Sequence, residues 1–207
     1  MGSILEALSP EQQIACSTQN NILLTACPGS GKTRTLTHRL AYQVLRDPAS
    51  KKIKIAITYT NRAAEEITNR LEGMNIDQSS IWAGTIHQFC MHFIIRPYAM
   101  YSKRLCKGYR IIDDYSKKAY GREIAERLGM HLNYYDDPFQ YENVRTEYKR
   151  VLKEKKEIDF DAILLISEEL LASCAFIGSN IASVISSILV DEFQDTNELQ
   201  YSKQISQ

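Results

Sequence analysis

Apolar and polar residues follow two different rhythms in the first hundred positions of the chain. Three short apolar runs, NNILLTA (20–26), IKIAIT (53–58) and SIWAG (80–84), are bounded by polar or turn residues, which predicts β-strands. After the first run, apolar residues recur at every fourth position from Leu36 to Val44, as on one face of a helix. Alternation of strand and helix predicts an α/β fold, with a parallel sheet and helices on both faces.

Candidate capping residues mark where three helices begin. Ser9 is followed three positions later by Gln12, the arrangement of a capping box. Asn61 and Thr85 stand as N-caps before two further helices. The helix after Thr85 is expected to stop before Pro97. Proline has no backbone N–H to donate, and it disfavours the helical conformation in the residue before it.

The pattern changes between Pro97 and about Ala172, where tyrosines and charged residues dominate and the periodicity is helical. We expect a helical subdomain inserted here, after which SVISSILVDE (183–192) returns to a buried strand. The expected division of the chain is 1–96, 97–180 and 181–207, with the first and last segments in one α/β domain.

A basic run in the insert, from Lys149 to Lys156, has two interpretations. Its cations could contact phosphates, in which case binding would weaken as salt rises. Glutamates are interleaved with it, however, at positions 147, 154 and 157, and this favours a solvated helix face.

Composition limits the kinds of partner. The 207 residues carry 25 basic and 25 acidic side chains, so the net charge is zero and any nucleic-acid surface must be local. The five cysteines show no CxxC spacing and no signal peptide precedes them, which predicts reduced thiols and no zinc site. No apolar stretch is long enough for a membrane span, and we expect a cytoplasmic protein without a membrane partner.

The first candidate for chemistry is ACPGSGKT, which matches the phosphate-binding P-loop pattern except that Ala26 replaces the first glycine. Small residues allow successive backbone N–H groups to close on phosphate oxygens. Lys32 would reach the β- and γ-phosphates, and the Thr33 hydroxyl would hold Mg²⁺. The alternative is a glycine-rich turn with an exposed lysine. The predicted nucleotide-binding residues of this loop are Ala26, Cys27, Pro28, Gly29, Ser30, Gly31, Lys32 and Thr33.

The second candidate is ILVDE, an apolar run that delivers two adjacent acids. Asp191 would hold Mg²⁺, and Glu192 would orient and deprotonate the attacking water. Gln194 would sense the γ-phosphate or a bound strand. The alternative, two solvated acids that cap a strand, is the default for an isolated pair and is weakened by the P-loop.

Five segments in order resemble the motifs of one family. LSPEQQIAC resembles the Q motif, ACPGSGKTRT motif I, ITYTNRAAEEITNRL motif Ia, GTIHQFC motif Ib and LVDEFQDTNELQ motif II of the UvrD/Rep/PcrA group of superfamily 1A DNA helicases. The resemblance runs from Leu8 to Gln200. It implies a RecA-like P-loop domain, ATP and Mg²⁺ as cofactors, and single-stranded DNA or a 3′-tailed duplex as partner.

The resemblance also implies roles at the nucleotide and at DNA for residues whose roles composition does not indicate. It implies that Gln12 binds the adenine edge, a role that competes or coexists with capping, and that Arg34 lies near the nucleotide. Tyr59 and Phe89 would stack on bases, the alternative being that both rings fill the core. The full set implied to line the DNA strand is Thr58, Tyr59, Thr60, Asn61, Gly84, Thr85, His87 and Phe89.

The resemblance implies a 3′-to-5′ helicase or translocase, in DNA repair or antiphage defence. Motifs III to VI and the second RecA-like domain are not among these residues, so we expect an incomplete sheet and a chain completed by a missing C-terminal part or a second chain. Two alternatives remain open: a P-loop NTPase without a DNA function, and a non-enzymatic fragment or subunit.

Overall fold

The computed structural model describes residues 2–25, 27 and 29–193. They form two compact units: the first comprises the described residues up to Phe89 and from Gly178 onward, and the second is Cys90–Ile177. The second unit overlaps the expected insert, and the domain limits at 96 and 180 stay a prediction. Within the described residues, no helix is long and apolar enough to cross a membrane.

Helices and strands alternate in the first unit. It begins with α1 (Gly2–Leu5), α2 (Pro10–Ser17), α3 (Lys32–Arg46), β1 (Ile53–Thr58), α4 (Asn61–Gly73), β2 (Ile81–Thr85) and α5 (Ile86–Phe89). The second unit contains a π-helix (Cys90–Ile95), α6 (Arg96–Tyr98), a 3₁₀ turn (Ala99–Tyr101), β3 (Arg110–Ile111), α7 (Asp114–Arg127), a 3₁₀ turn (Pro138–Gln140), α8 (Glu142–Lys155), β4 (Glu157–Ile158) and α9 (Phe160–Ser173). Helix α10 (Ala175–Val184) leads back to β5 (Ile185–Val190) of the first unit.

The sheet of the first unit has three parallel strands in the order β2-β1-β5. In its register Thr58 lies opposite Thr85, and Ile57 lies opposite both Gly84 and Val190. The α/β class and the parallel sheet predicted from the sequence are confirmed. Because the strands are parallel, their carboxyl ends meet at one edge, which becomes important for the site.

The core of this unit lies between the sheet and helices α3 and α4. Leu40, Ala56, Ile67 and Leu71 are fully buried within one hydrophobic cluster. The predicted helical face is confirmed, since Leu36 and Val44 belong to the same cluster. Helix α2 packs against α3, and burial raises the pKa of the Cys16 thiol to about 11, so this cysteine is a protonated core residue.

The capping predictions have mixed outcomes. Ser9 and Gln12 form the predicted capping box of α2. Helix α4 is capped by Thr60, whose hydroxyl accepts from the N–H of Ala63, and Asn61 is instead the first helical residue. Both residue types are good N-caps, so the pattern fixed the helix start only to within one position.

Three structural expectations differ from the structure. Asn21–Thr25, within the first apolar run, is in no strand, and Leu23 is 78% exposed. The helix expected to end before Pro97 is divided into α5, the π-helix and α6, with Pro97 in the first turn of α6, where a missing N–H costs little. Strand β5 is exposed at alternate positions, because successive side chains point to opposite faces of the sheet and one of these faces is less covered at β5.

The second unit has its own core, formed largely by α7 and α8 around Ile124, Val144 and Leu152. Asp159 caps α9 and accepts a hydrogen bond of 3.0 Å from the Tyr148 hydroxyl. Burial first, and then the Asp159 charge, raise the pKa of Tyr148.

The basic run of the insert is largely engaged inside the second unit. Arg150 pairs with Glu147 and Glu154 on the same helix. The Lys155 ammonium lies 4.1 Å from the centroid of the Tyr120 ring. This arrangement favours the interpretation of α8 as a charged, solvated face rather than a phosphate-binding one.

Candidate functional site

The candidate site lies at the carboxyl edge of the three-stranded sheet. β1 ends at Thr58 and β2 ends at Thr85, and these two residues are partners in the register. The N–H of Asp191, just after β5, donates to the Ile57 carbonyl at 2.8 Å. The acids and the two segments implied to bind DNA therefore leave the sheet at the same edge, where open α/β sheets bind their ligands.

The two halves of the predicted nucleotide site are in direct contact. The Thr33 hydroxyl, in the first turn of α3, donates to Asp191 Oδ2 at 2.9 Å, across a separation of 158 residues. Asp191 is buried, with 8% of its surface exposed. The structure thus brings together the two side chains that were predicted to hold the same ion.

These residues fit Mg²⁺. Hydroxyl and carboxylate oxygens are hard ligands, and Mg²⁺ is commonly bound by one or two carboxylates together with substrate phosphates. No group of three His, Cys, Asp or Glu side chains is placed to hold a metal among the described residues. Thr33 and Asp191 could contribute two oxygen ligands to such an ion.

The loop before α3 has the backbone that a phosphate cradle requires. Gly29 and Gly31 have φ of +78° and +87°, in the left-handed region that favours glycine. Gly31 precedes the 15-residue helix α3 and provides no side-chain cap, and the N-terminus of a helix is a favourable place for an anion. Lys32 is the first residue of α3 and is partly buried. Cys27 and Ser30 are exposed, while Ala26 and Pro28 lie outside the described residues.

Gln12 is held against this loop. Its Oε1 accepts from the Ser9 N–H at 3.0 Å, and its Nε2 donates to the Ser30 carbonyl at 3.1 Å. A Cβ added to Gly31 would lie 3.3 Å from the same Nε2. The amide therefore caps α2 and supports the P-loop at the same time. Adenine contact by Gln12 stays a prediction.

Two arginines of α3 hold the chain that precedes the loop. Arg34 donates to the Ala7 carbonyl at 2.8 Å, so its guanidinium is engaged with backbone near α2. Arg39 donates to the carbonyls of Ala15 and Asn20. A role of Arg34 at the nucleotide stays a prediction.

Glu192 has an unusual backbone conformation for its residue type. Its φ is +51°, in the left-handed region, and its N–H donates to Asp191 Oδ1 at 3.2 Å. Such a conformation costs a non-glycine residue about 1–3 kcal/mol and is concentrated at functional sites. The strain falls on the residue that the sequence predicts as general base. Gln194 lies outside the described residues.

The segment after β1 has one exposed ring. Thr58 is buried and its hydroxyl donates to the Thr60 carbonyl at 2.9 Å, which tightens the turn between β1 and α4. Tyr59 occupies the turn and is 64% exposed. Thr60 and Asn61 are exposed beside it. This geometry presents Tyr59 to solvent, as a base-stacking residue requires.

The segment after β2 is organised around Trp82, which the sequence analysis did not single out. The ring of Phe89 packs edge-on against Trp82, with centroids 6.1 Å apart, and Phe89 is only 9% exposed. The structure therefore places Phe89 in packing rather than at the surface. His87 is partly buried in the same short helix, α5.

Gly84 is required by close approach rather than by an unusual dihedral angle. A Cβ at this position would lie 2.6 Å from the Trp82 ring and 2.8 Å from Gln88 Oε1. That same oxygen accepts from the Thr85 N–H at 2.9 Å, and Thr85 Oγ1 accepts from the Gln88 N–H at 3.3 Å. The sequence TIHQ carries this reciprocal capping box, which identifies Gln88 as a residue that pattern reasoning could have found.

Comparison with known protein families gives a match over most of the chain. The model of the UvrD/REP helicase N-terminal domain matches residues 8–138 and 130–203. The chain belongs to this family. The family resemblance inferred from the five motifs is thereby confirmed.

Curated relatives of this UvrD/REP-type chain are bacterial helicases. DNA helicase II of Escherichia coli (strain K12) is 27% identical over 228 aligned residues, which cover 96% of this chain and 31% of the relative. The ATP-dependent DNA helicase PcrA of Leuconostoc citreum is 27% identical, with 90% of this chain and 29% of the relative covered. The PcrA of Staphylococcus aureus is 26% identical, with 98% and 32% covered. The chain spans about a third of the length of the curated relatives it matches.

Gly84→Ala tests the packing beneath this site. We expect it to lower the free energy of unfolding by about 1–3 kcal/mol, because the new methyl group forces Trp82 or Gln88 to move. Urea denaturation followed by circular dichroism measures the loss. Gly73→Ala is the matched control, since nothing lies within 4 Å of its added Cβ, and it should change stability little. Equal stability of both variants and the parent would show that the ring does not constrain position 84.

Proposed function

We propose that these residues are the ATP-binding part of an ATP-dependent 3′-to-5′ DNA helicase of UvrD type. The observation that carries the proposal is the 2.9 Å hydrogen bond between Thr33 and Asp191. It joins the helix that follows the P-loop to the acid that follows β5, so a nucleotide bound at the loop would have its γ-phosphate near both acids. The helicase names of the relatives support the DNA-directed part.

In this proposal the chain's own residues divide the work of binding and hydrolysis. The N–H groups around Gly29 and Gly31 and the Lys32 ammonium bind the phosphates. Thr33 and Asp191 would hold Mg²⁺, which supplies charge neutralisation on the phosphate oxygens when it is bound. Glu192 orients the attacking water and accepts its proton. Gln194 would respond to the γ-phosphate or to bound DNA.

The proposed DNA contact is local and of low sequence specificity. The exposed Tyr59 ring stacks on a base, and the hydroxyl and amide groups of Thr60 and Asn61 contact the backbone. Gly84, Thr85 and His87 contribute from the neighbouring strand end, and the buried Thr58 and Phe89 support the two segments from beneath. Because the net charge is zero, attraction to DNA must come from such local groups.

Movement along DNA needs parts that these residues do not supply. In comparable nucleotide-hydrolysing proteins, an arginine from a second element accelerates turnover about 10³–10⁵-fold. We propose that a second RecA-like domain carrying motifs III to VI completes the motor, with the residues of the expected insert, 97–180, as an accessory subdomain. A DNA motor of this kind works in the cytoplasm of a bacterial cell, in repair or in antiphage defence.

Substitutions of the two acids should have different effects on ATP binding and ATP turnover. In a motor completed with the C-terminal part, Glu192→Gln should retain Mg²⁺-dependent ATP binding and lose turnover about 10²–10⁴-fold, since general-base catalysis contributes that much. Asp191→Asn should weaken the dependence of ATP binding on Mg²⁺. Titration of a fluorescent ATP analogue at several Mg²⁺ concentrations, together with phosphate release, distinguishes them. Glutamine keeps the size of Glu192, so circular dichroism of the variant serves as the folding control. Indistinguishable behaviour of the two variants would count against these roles.

We expect the Tyr59 ring to stack on the bases of single-stranded DNA. Tyr59→Ala should weaken binding of a fluorescent oligothymidine about tenfold, because stacking contributes about 1–3 kcal/mol per base. Fluorescence anisotropy at low salt measures the affinity, and binding should weaken as salt rises. Tyr115→Ala is the control, because Tyr115 is also exposed, at 82%, but belongs to the second unit. Equal losses in the two variants would argue against a strand path at the end of β1.

A further inference from the structure

Strand β1 contains a buried lysine that the proposed function does not use. Lys54 is only 3% exposed, whereas Lys51 and Lys52 just before it are exposed. Its ammonium makes one hydrogen bond, of 3.5 Å, to the Lys52 carbonyl. Among the residues that the structure describes, no carboxylate lies within ion-pair distance of it. An ammonium has three N–H donors, and lysine is almost never fully buried unless it is paired. Lys54 therefore carries a desolvated positive charge that the described part of the chain does not neutralise.

Lys54 lines a cavity at the amino edge of the sheet. The cavity has a volume of about 490 Å³ and lies among the end of α2 with the residues after it, the last turns of α3, and the starts of β1 and β5. A volume of this order is typical of small-molecule sites. The contact between Thr33 and Asp191 lies at the opposite, carboxyl edge, and the rise of α3 from Thr33 to Gln43 is about 15 Å. The cavity is thus separate from the candidate nucleotide site.

Polar side chains from β5 and α3 line the cavity together with Lys54. In the register of the sheet, Lys54 lies opposite Ser187. The Ser187 hydroxyl donates to Gln43 Oε1 at 2.8 Å, and both side chains belong to the cavity wall. Because the Gln43 oxygen accepts this bond, the amide of Gln43 also has an NH₂ group that can donate to a ligand.

A second cation lines the same cavity. Arg46 is exposed, and it follows Tyr42 by one turn of α3, so that both side chains lie on one face of the helix. Asp47 is the one carboxylate among the lining residues, and it is exposed. Two cations therefore face one acid, and the buried charge is a cation. Low local dielectric strengthens the attraction between such a buried charge and an anion.

We propose that this cavity binds the phosphate group of a small molecule, either orthophosphate or a phosphomonoester, with Lys54 as the principal ligand. Lys54 and Arg46 supply the charge that a dianion requires. The Gln43 amide and the hydroxyls of Tyr42 and Ser50, which also line the cavity, supply neutral donors. Two cations and several donors match a phosphate dianion with three terminal oxygens better than a carboxylate with one charge and two oxygens. The proposal concerns a second site and does not rest on the proposed function.

The test titrates inorganic phosphate and ribose 5-phosphate separately into the 207-residue chain. All samples carry Lys32→Ala, which weakens phosphate binding at the P-loop, and ionic strength is held constant with chloride. Two-dimensional amide NMR follows the starts of β1 and β5, and thermal unfolding gives Tm. We expect both probes to shift the amide signals of Lys54 and Ser187 and to raise Tm. A higher affinity for ribose 5-phosphate identifies a phosphomonoester as the ligand, and equal affinities identify orthophosphate.

Lys54→Met removes the charge and keeps a long side chain. It should weaken binding of either probe about tenfold or more, since hydrogen bonds to charged groups are among the strong ones. Without a probe it should melt at a higher temperature than the parent, because replacement of an unpaired buried charge by an apolar group is stabilising. Lys51→Met is the matched control: Lys51 is exposed and outside the cavity wall, and its loss should leave affinity and Tm unchanged.

Arg46→Gln tests the second cation without disturbing the core. Because Arg46 is exposed, the variant should fold like the parent, and it should weaken binding about threefold, as expected for a solvent-exposed cation. This variant keeps the proposal testable if Lys54→Met fails to fold.

Three results would overturn the phosphate site. The first is the absence of amide shifts at the starts of β1 and β5, with any shifts confined to the P-loop. The second is binding that persists unchanged in both Lys54→Met and Arg46→Gln. The third is an equal rise in Tm with acetate at the same ionic strength, which would make the ligand a carboxylate. Amide shifts at Lys54 and Ser187 that disappear in Lys54→Met and persist in Lys51→Met would support the site.

Discussion

The hydrogen bond between Thr33 and Asp191 depends on how α3 lies against β5. The helix contacts the strand at two levels: Thr33 with Asp191 at the carboxyl edge, and Gln43 with Ser187 near the strand's start. Ten residues of helix rise about 15 Å, and four residues of strand rise about 13 Å. The two distances are therefore similar. Because residue numbers rise along the helix while those of the partners fall along the strand, helix and strand run in opposite directions. The loop and the acid therefore belong to two elements that are also joined at a second point, by the hydrogen bond between Gln43 and Ser187.

The same contact places two oxygen atoms that could bind one ion next to each other. The Thr33 hydroxyl donates a hydrogen bond to the Asp191 carboxylate, so the two oxygens lie 2.9 Å apart. Hydrogen bonds to charged groups contribute about 1.5–3 kcal/mol, and coordination of Mg²⁺ by both oxygens has to replace this energy. The next residue, Glu192, holds a left-handed backbone in the same short turn. Binding energy from the ion and the phosphates is thus available to reorganise a turn that is already strained.

The features that depend on local chemistry could be predicted from the sequence. The capping box of Ser9 and Gln12, the buried face of α3 and the strands β1, β2 and β5 follow from residue type and periodicity. The contact of Thr33 with Asp191 was implied by the pairing of two motifs. What pattern could not determine was which of two adjacent residues, Thr60 or Asn61, caps α4, because both side chains can accept the same N–H bond. It also could not place Phe89 inside, since its partner Trp82 becomes a neighbour only after β2 and α5 fold.

The failed strand prediction at residues 21–25 is of a different kind. A short apolar run bounded by polar residues favours a strand, but a strand exists only when its N–H and C=O groups find a neighbouring backbone. The described residues offer this run no neighbour, and they leave the outer edge of β5 without one as well. Local and global preferences in a foldable sequence agree except where function or a partner intervenes. At residues 21–25 the local preference for a strand is therefore outweighed by the lack of a backbone partner among the described residues.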